Sequence, residues 1–313
     1  MDLNVIELTK IKKLIFIPLL IFSLTLSAQF TKSGGTFLKT GSSFMSGPAV
    51  PLDYDDEIDT YILGLSTPLS SEYLTVLNTF VVALKDSLNI STLDEAFNVF
   101  RVSANETQEA ALRNLVKRDH DATNIHSTAF TQYAGFVGDG ANDYFTSGFN
   151  PGTDTTETGG YRNNSASFGF YTITSGNTAA EAIEGMMGGK VDDASRVQFH
   201  FDATFSTIYI NAATSTPIDR APTIGAGLYI ATRSNHNTTY LYYNKTASDA
   251  DNDESAGLPD IELYEGAINN NGSASYYFDR NLSLIFFGYH ITTAMRDDIY
   301  DCFQVYLTAI AGL

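Results

Sequence analysis

Beyond Thr131, apolar residues recur at every second position, and this restricts the chain to strands with one dry face and one wet face. Phe199 and Phe201 flank His200, Ile208 and Ile210 alternate with Tyr209, Leu241 and Tyr243 with Tyr242, and Ile261 and Leu263 with Glu262. The dipeptides Asp139-Gly140 and Asn271-Gly272 supply short turns between such strands. The strands are frequent enough to fill two antiparallel sheets, so the predicted core is mainly β, a sandwich or jelly roll. Composition agrees where it bears on this point. The 24 glycines and the many Thr, Ser, Asn and Tyr residues suit short strands and turns better than long helices.

Upstream the pattern differs. Lys10, Lys12 and Lys13 precede the apolar run LIFIPLLIFSLTLSA, which has the basic, apolar, then small order of an export signal over residues 1–28. At about fifteen residues the run is short for a spanning helix, which needs about 20, although a retained membrane-inserting segment is the alternative. Residues 29–52 are rich in Gly, Ser, Thr and Pro without an apolar period, and read as a linker or attachment arm. Ser70 caps a predicted helix whose stripe is Leu74, Leu77, Val81, Leu84 and Leu88. AFNVFRVS then reads as a strand, and a second short helix is predicted from Thr107 to Val116, giving a small α+β module over residues 53–130. The jelly roll follows over residues 131–313. It ends in a helix capped near Thr292, with Met295, Ile299, Phe303, Tyr306 and Ile310 on one face.

Three glycine-punctuated segments carry a resemblance: GFVGDGANDYFTSGFNP from Gly135, NSASFGFYTIT from Asn164 and AINNNGSASYYFDRNLSLIFFGYHIT from Ala267. In this order they resemble the concanavalin-like or laminin-G-like jelly-roll domain of structural proteins from bacteriophages that infect Bacteroidetes. The resemblance covers roughly the last 220 residues. It implies a virion appendage or spike whose jelly roll faces outward, assembled with other virion proteins, often as a homotrimer, and adhering to host surface glycans. The export signal points instead to a host-encoded, secreted or cell-surface carbohydrate-binding protein, so virion and extracellular settings both stand.

The formal net charge of −18 repels phosphates and anionic membranes, so no nucleic-acid partner is expected and the membrane is met only through the N-terminal segment. Cys302 is the only cysteine, which excludes an intramolecular disulfide and a cysteine-rich zinc site. Asp260, Glu262 and Glu265 in DIELYE faintly resemble the acidic strand of laminarinase-type glucanases, where two carboxylates about 5–5.5 Å apart would serve a retaining mechanism. Aspartate stands where those enzymes use a glutamate nucleophile, and tryptophan is absent, so a solvated strand face is the simpler reading. No nucleophile, base and orienter occur in a recognisable order, and the chain is predicted not to be an enzyme. Asp249, Asp251 and Asp253 alternate as hard oxygen ligands for Ca²⁺ would, although Glu254 occupies the place where a calcium loop turns on glycine. No other cofactor is implied. Tyr240, Tyr242, Tyr276 and Tyr277 are the candidate sugar-binding platform, each offering an apolar ring and a hydroxyl, and the alternative for each is an ordinary strand aromatic packing across a sheet.

Overall fold

The computed structural model describes residues 53–313 except 118, 155–159, 175–182, 202–205, 213–224 and 253. The export signal and the linker expected over residues 1–52 lie outside the described residues. Among the described residues there are four α-helices: α1 (Asp56–Ile62), α2 (Ser71–Leu88), the single turn α3 (Gln108–Ala111) and α4 (Thr293–Ile310). Ser70 caps α2 by accepting from the Tyr73 amide at 3.2 Å, and Thr292 caps α4 by accepting from Met295 at 3.3 Å. The α3 helix stops well short of the predicted Val116. Beyond it, Asn114 bonds the strand Phe97–Val102 instead: its side chain accepts from the Phe100 amide and donates to the Asn98 carbonyl.

The first sheet has six antiparallel strands in the order β1 (Phe97–Val102), β17 (Leu284–Gly288), β6 (Ala166–Thr172), β10 (Gly227–Asn235), β11 (Thr238–Tyr243) and β12 (Thr246–Asp251). In the second sheet, β7 (Glu184–Lys190) is flanked on one side by β8 (Arg196–Phe201) and then β9 (Ser206–Ala212). Its other side pairs with β13 (Tyr264–Glu265), followed by β5 (Tyr144–Thr146) and β2 (Thr123–Ile125). The hairpin of β14 (Ile268–Asn270) and β15 (Ser273–Ser275) also joins β7. Its turn is the predicted Asn271-Gly272, with both residues at positive φ as a tight right-twisted hairpin demands. A small third sheet holds β3 (Ala129–Thr131), β4 (Gly135–Val137) and β16 (Asn281–Leu282). The chain is thus mainly β, a jelly-roll sandwich with small helices before it and one after it.

Two cores lie on either side of the first sheet. Ile285, Phe287, Phe168, Phe170 and Tyr229 face the second sheet and meet Met187, Val197, Phe199, Phe201, Ile208 and Ile210. Leu284, Phe286, Phe100, Tyr171 and Ile230 face the helices and meet the predicted stripes of α2 and α4. Helix, sheet and sheet are therefore three layers, and the first sheet is buried on both faces. β1, from the expected α+β segment, is the edge strand beside β17, and Leu52–Leu313 form one compact unit across residue 131.

The fit at the centre of the first sheet is close. A Cβ added to Gly169 would lie 2.4 Å from the Phe286 ring and 2.8 Å from the Tyr229 carbonyl. Gly169→Ala is therefore expected to cost about 1–3 kcal/mol through overpacking, read as a lower urea midpoint at unchanged slope. An unchanged midpoint would contradict this packing.

Candidate functional site

The three acidic residues of DIELYE are separated by the fold, because only its last two residues, Tyr264 and Glu265, are strand. Asp260 is exposed and accepts from the Asn150 side chain at 2.9 Å. Glu262 accepts from the Gly148 amide at 2.8 Å, so these two carboxylates tie the 148–150 turn to the segment that enters β13. Glu265 points into the sandwich and pairs with Arg101 of β1, both 1% exposed. Arg101 also donates to the carbonyls of His120 and Ser147, at 2.6 and 2.7 Å, and burial pushes its guanidinium down to about 9. The cost of burying the guanidinium is offset by three acceptors, the Glu265 carboxylate and two carbonyls, the first of which is also its counter-charge.

The acidic segment expected as a calcium loop runs instead as the edge strand β12, with Asp249 opposite Leu241 and Asp251 opposite Thr239. Extended backbone replaces the turning loop that would wrap a cation. Asp253 and the side chains of Asp249 and Asp251 lie outside the described residues. Among the described residues, no group of three or more His, Cys, Asp or Glu side chains is placed to hold a metal ion.

The four predicted tyrosines divide between two places. Tyr240 and Tyr242 lie on the helix-facing side of β11, their rings parallel within 9° at 5.9 Å, and the Arg296 guanidinium sits 4.8 Å over Tyr242. With Ser234, His290, Thr292 and Thr293 they line a pocket of about 320 Å³. The Thr232 hydroxyl accepts from the Ile291 amide at 2.9 Å and lies within hydrogen-bond distance of the Ala166 carbonyl, at 3.2 Å, and of His290 Nδ1, at 2.9 Å. Burial lowers the His290 pKa, which favours the neutral ring.

Tyr276 and Tyr277 lie on the outer face of the second sheet, where the fold assembles a larger aromatic surface around them. Phe199, Phe201, Ile208, Ile210 and Phe145 point into the core, so strand alternation turns His200, Tyr209 and Tyr144 outward. Arg196 stacks on Tyr209 at 4.1 Å; Tyr209 neighbours His200 at 6.4 Å, and His200 stacks on Tyr276 at 6.2 Å with 26° between planes. A second string begins at Tyr277, which lies 6.2 Å from Tyr144. Tyr144 in turn meets Tyr264 at 4.8 Å and His126 at 6.0 Å.

The adjacent residues Tyr276 and Tyr277 join the two strings. In a regular strand neighbouring side chains point to opposite faces, but Tyr276 has φ +59°, and this left-handed kink lets both rings lie on one side. The Gly185 amide fixes the kink by donating to the Tyr276 carbonyl at 2.6 Å, and Phe278 then turns back into the core. A left-handed tyrosine costs roughly 1–2 kcal/mol, and Tyr276 is 44% exposed, so packing recovers little of that cost. His200 and Tyr209 were visible in the sequence as the outward members of alternating strands. Their union with Tyr144 and Tyr264 was not, because those residues come from separate strands.

No protein-family model matches the chain, and no curated protein sequence matches it. Among solved structures it is similar to the sialidase of Trypanosoma rangeli, at 14% identity and a TM-score of 0.46 over 72% of this chain and 38% of the sialidase. A mutant of that sialidase displaying trans-sialidase activity gives 11% identity and a TM-score of 0.47 over 74% and 39%. The binding domain of botulinum neurotoxin serotype D gives 8% and 0.49 over 66% and 52%. The chain thus spans about two fifths of the sialidases' length and about half of the toxin domain's. Likeness at these levels concerns fold alone, and the strand order above carries the fold assignment. The expectation that the chain is not an enzyme is corrected: the partly similar structures include sialidases, which are enzymes, so the fold does not set this chain apart from enzymes.

Proposed function

We propose that this protein binds carbohydrate chains on the outer aromatic face of its second sheet. The observation that carries this reading is the left-handed Tyr276, which turns two consecutive tyrosines outward and joins two strings of rings into one surface. Pyranose rings have an apolar face that stacks on an aromatic ring and hydroxyls that bond to tyrosine and histidine at its edge. Strained backbone that gains little packing in return marks positions held for binding.

The test is Tyr276→Gly in the full chain. Glycine adopts the left-handed conformation without cost, so the melting temperature is expected to stay near that of the wild type. Affinity for a polysaccharide selected on a glycan array is expected to fall on the order of tenfold, since one aromatic contact is worth about 0.5–1.5 kcal/mol beyond the area it buries. Equal affinity in the variant would remove the surface from consideration.

The proposed setting is the outside of a bacteriophage particle, with the resemblance of the three glycine-punctuated segments in its favour, or the outside of a host cell, with the export signal in its favour. In either setting, trimerisation would raise avidity for a repeating glycan. Mass spectrometry of purified particles separates the two: the protein in clean virions supports the first, and its absence from them supports the second.

A further inference from the structure

Arg280 lies between the two sheets of the sandwich with its side chain wholly buried. Three residues at one end of the sandwich surround it: Glu184 opens β7, Phe201 closes β8 and Tyr229 stands near the start of β10. Nε donates to Glu184 at 2.5 Å, and the guanidinium plane rests 4.6 Å over the Phe201 ring. Glu184 is also occupied by the Asp279 amide, which donates to it at 3.2 Å. The other two nitrogens, Nη1 and Nη2, are buried and have no hydrogen-bond partner among the described residues.

These two nitrogens carry four N–H donors in a planar fork. A buried donor left unmade costs about 1–3 kcal/mol, and more on a charged group. The contrast with Arg101 is direct, since Arg101 meets Glu265 and two carbonyls in an equally buried place. Phe201 offers the face of its ring to the guanidinium plane, which leaves the in-plane donors of Nη1 and Nη2 unmet. A group that accepts in the plane of the fork would satisfy them, and a carboxylate or a halide does so while carrying the charge opposite to the guanidinium.

We propose that Arg280 Nη1 and Nη2 hold a small monovalent anion, a carboxylate or a halide, at the end of the inter-sheet core. The site is separate from the outer aromatic surface, because Phe201 faces the core while His200 beside it faces outward. The bound anion would join Glu184 and Arg280 in fastening the first residue of β7 to the 279–281 segment.

Two measurements on the full chain test this. Crystals soaked in sodium bromide are expected to show an anomalous peak within hydrogen-bond distance of Nη1 or Nη2. In solution, melting temperature is expected to rise with sodium acetate or sodium bromide, compared at equal ionic strength with a sulfonate too bulky to enter, as mass action requires of a ligand of the folded state. A rise with acetate alone assigns a carboxylate, and a rise with bromide alone assigns a halide. Arg280→Met is expected to abolish the rise. Water alone at the site together with no anion-specific rise, or the same rise in Arg280→Met, would overturn the proposal. The crystal result holds even if the variant does not fold.

Discussion

Replacing Glu265 with alanine is expected to destabilise the protein by about 3–5 kcal/mol, because it leaves the buried Arg101 guanidinium without its counter-charge. The neighbouring carbonyls of His120 and Ser147 accept from Nη2 and cannot replace the carboxylate on Nη1. Urea denaturation of the single variant and of Arg101→Met/Glu265→Leu checks the argument. The double variant is expected to recover much of the loss, since apolar residues of similar volume remove both the charge and the need to solvate it. A loss under about 1 kcal/mol in Glu265→Ala would show that water reaches the pair. The same experiment bears on the role of this carboxylate: Glu265 is engaged with β1 inside the sandwich, while Asp260 and Glu262 bond to the 148–150 turn outside it.

Phe303→Ala carries a comparable effect through packing alone. Phe303 is fully buried where two helices meet the first sheet, with ring centroids 6.0 Å from Phe80 on α2, 5.1 Å from Tyr171 on β6 and 5.6 Å from Tyr306 on its own helix. Truncation opens a cavity that neighbours from two helices and a sheet cannot all collapse into, at a cost of about 3–5 kcal/mol. The loss is expected in one cooperative transition reported equally by far-ultraviolet and tyrosine signals, because α2, α4 and the first sheet share one core. Two separated transitions would show that residues 53–130 fold independently of the sandwich.

The parts of the fold legible in the sequence were those governed by local chemistry. Ser70 and Thr292 cap helices because a hydroxyl beside the first turn satisfies an orphan amide wherever the chain is placed. The stripes of α2 and α4 were readable because every member faces one core. Alternation was readable at His200 and Tyr209, in strands with one wet face. It misled at Tyr242, read as the wet residue between Leu241 and Tyr243, because α4 covers that face of β11 and leaves Tyr242 4% exposed. Alternation in Ile261, Glu262 and Leu263 did not mark a strand either, since these residues enter β13 as irregular chain held by side-chain bonds.

By itself the sequence determined the class of fold: period-two hydrophobicity and positive-φ turn residues act within a few neighbours, and they specify strands and hairpins without reference to the rest of the molecule. Only the tertiary structure decided which side chains share a surface. The aromatic strings cross strands that are far apart in the chain, the Arg101–Glu265 pair joins residues 164 positions apart, and both faces of the first sheet are buried because helices from opposite ends of the described chain pack together on one of them. Sheet order brings such groups together, and sheet order is set by long-range packing that no short window of sequence contains.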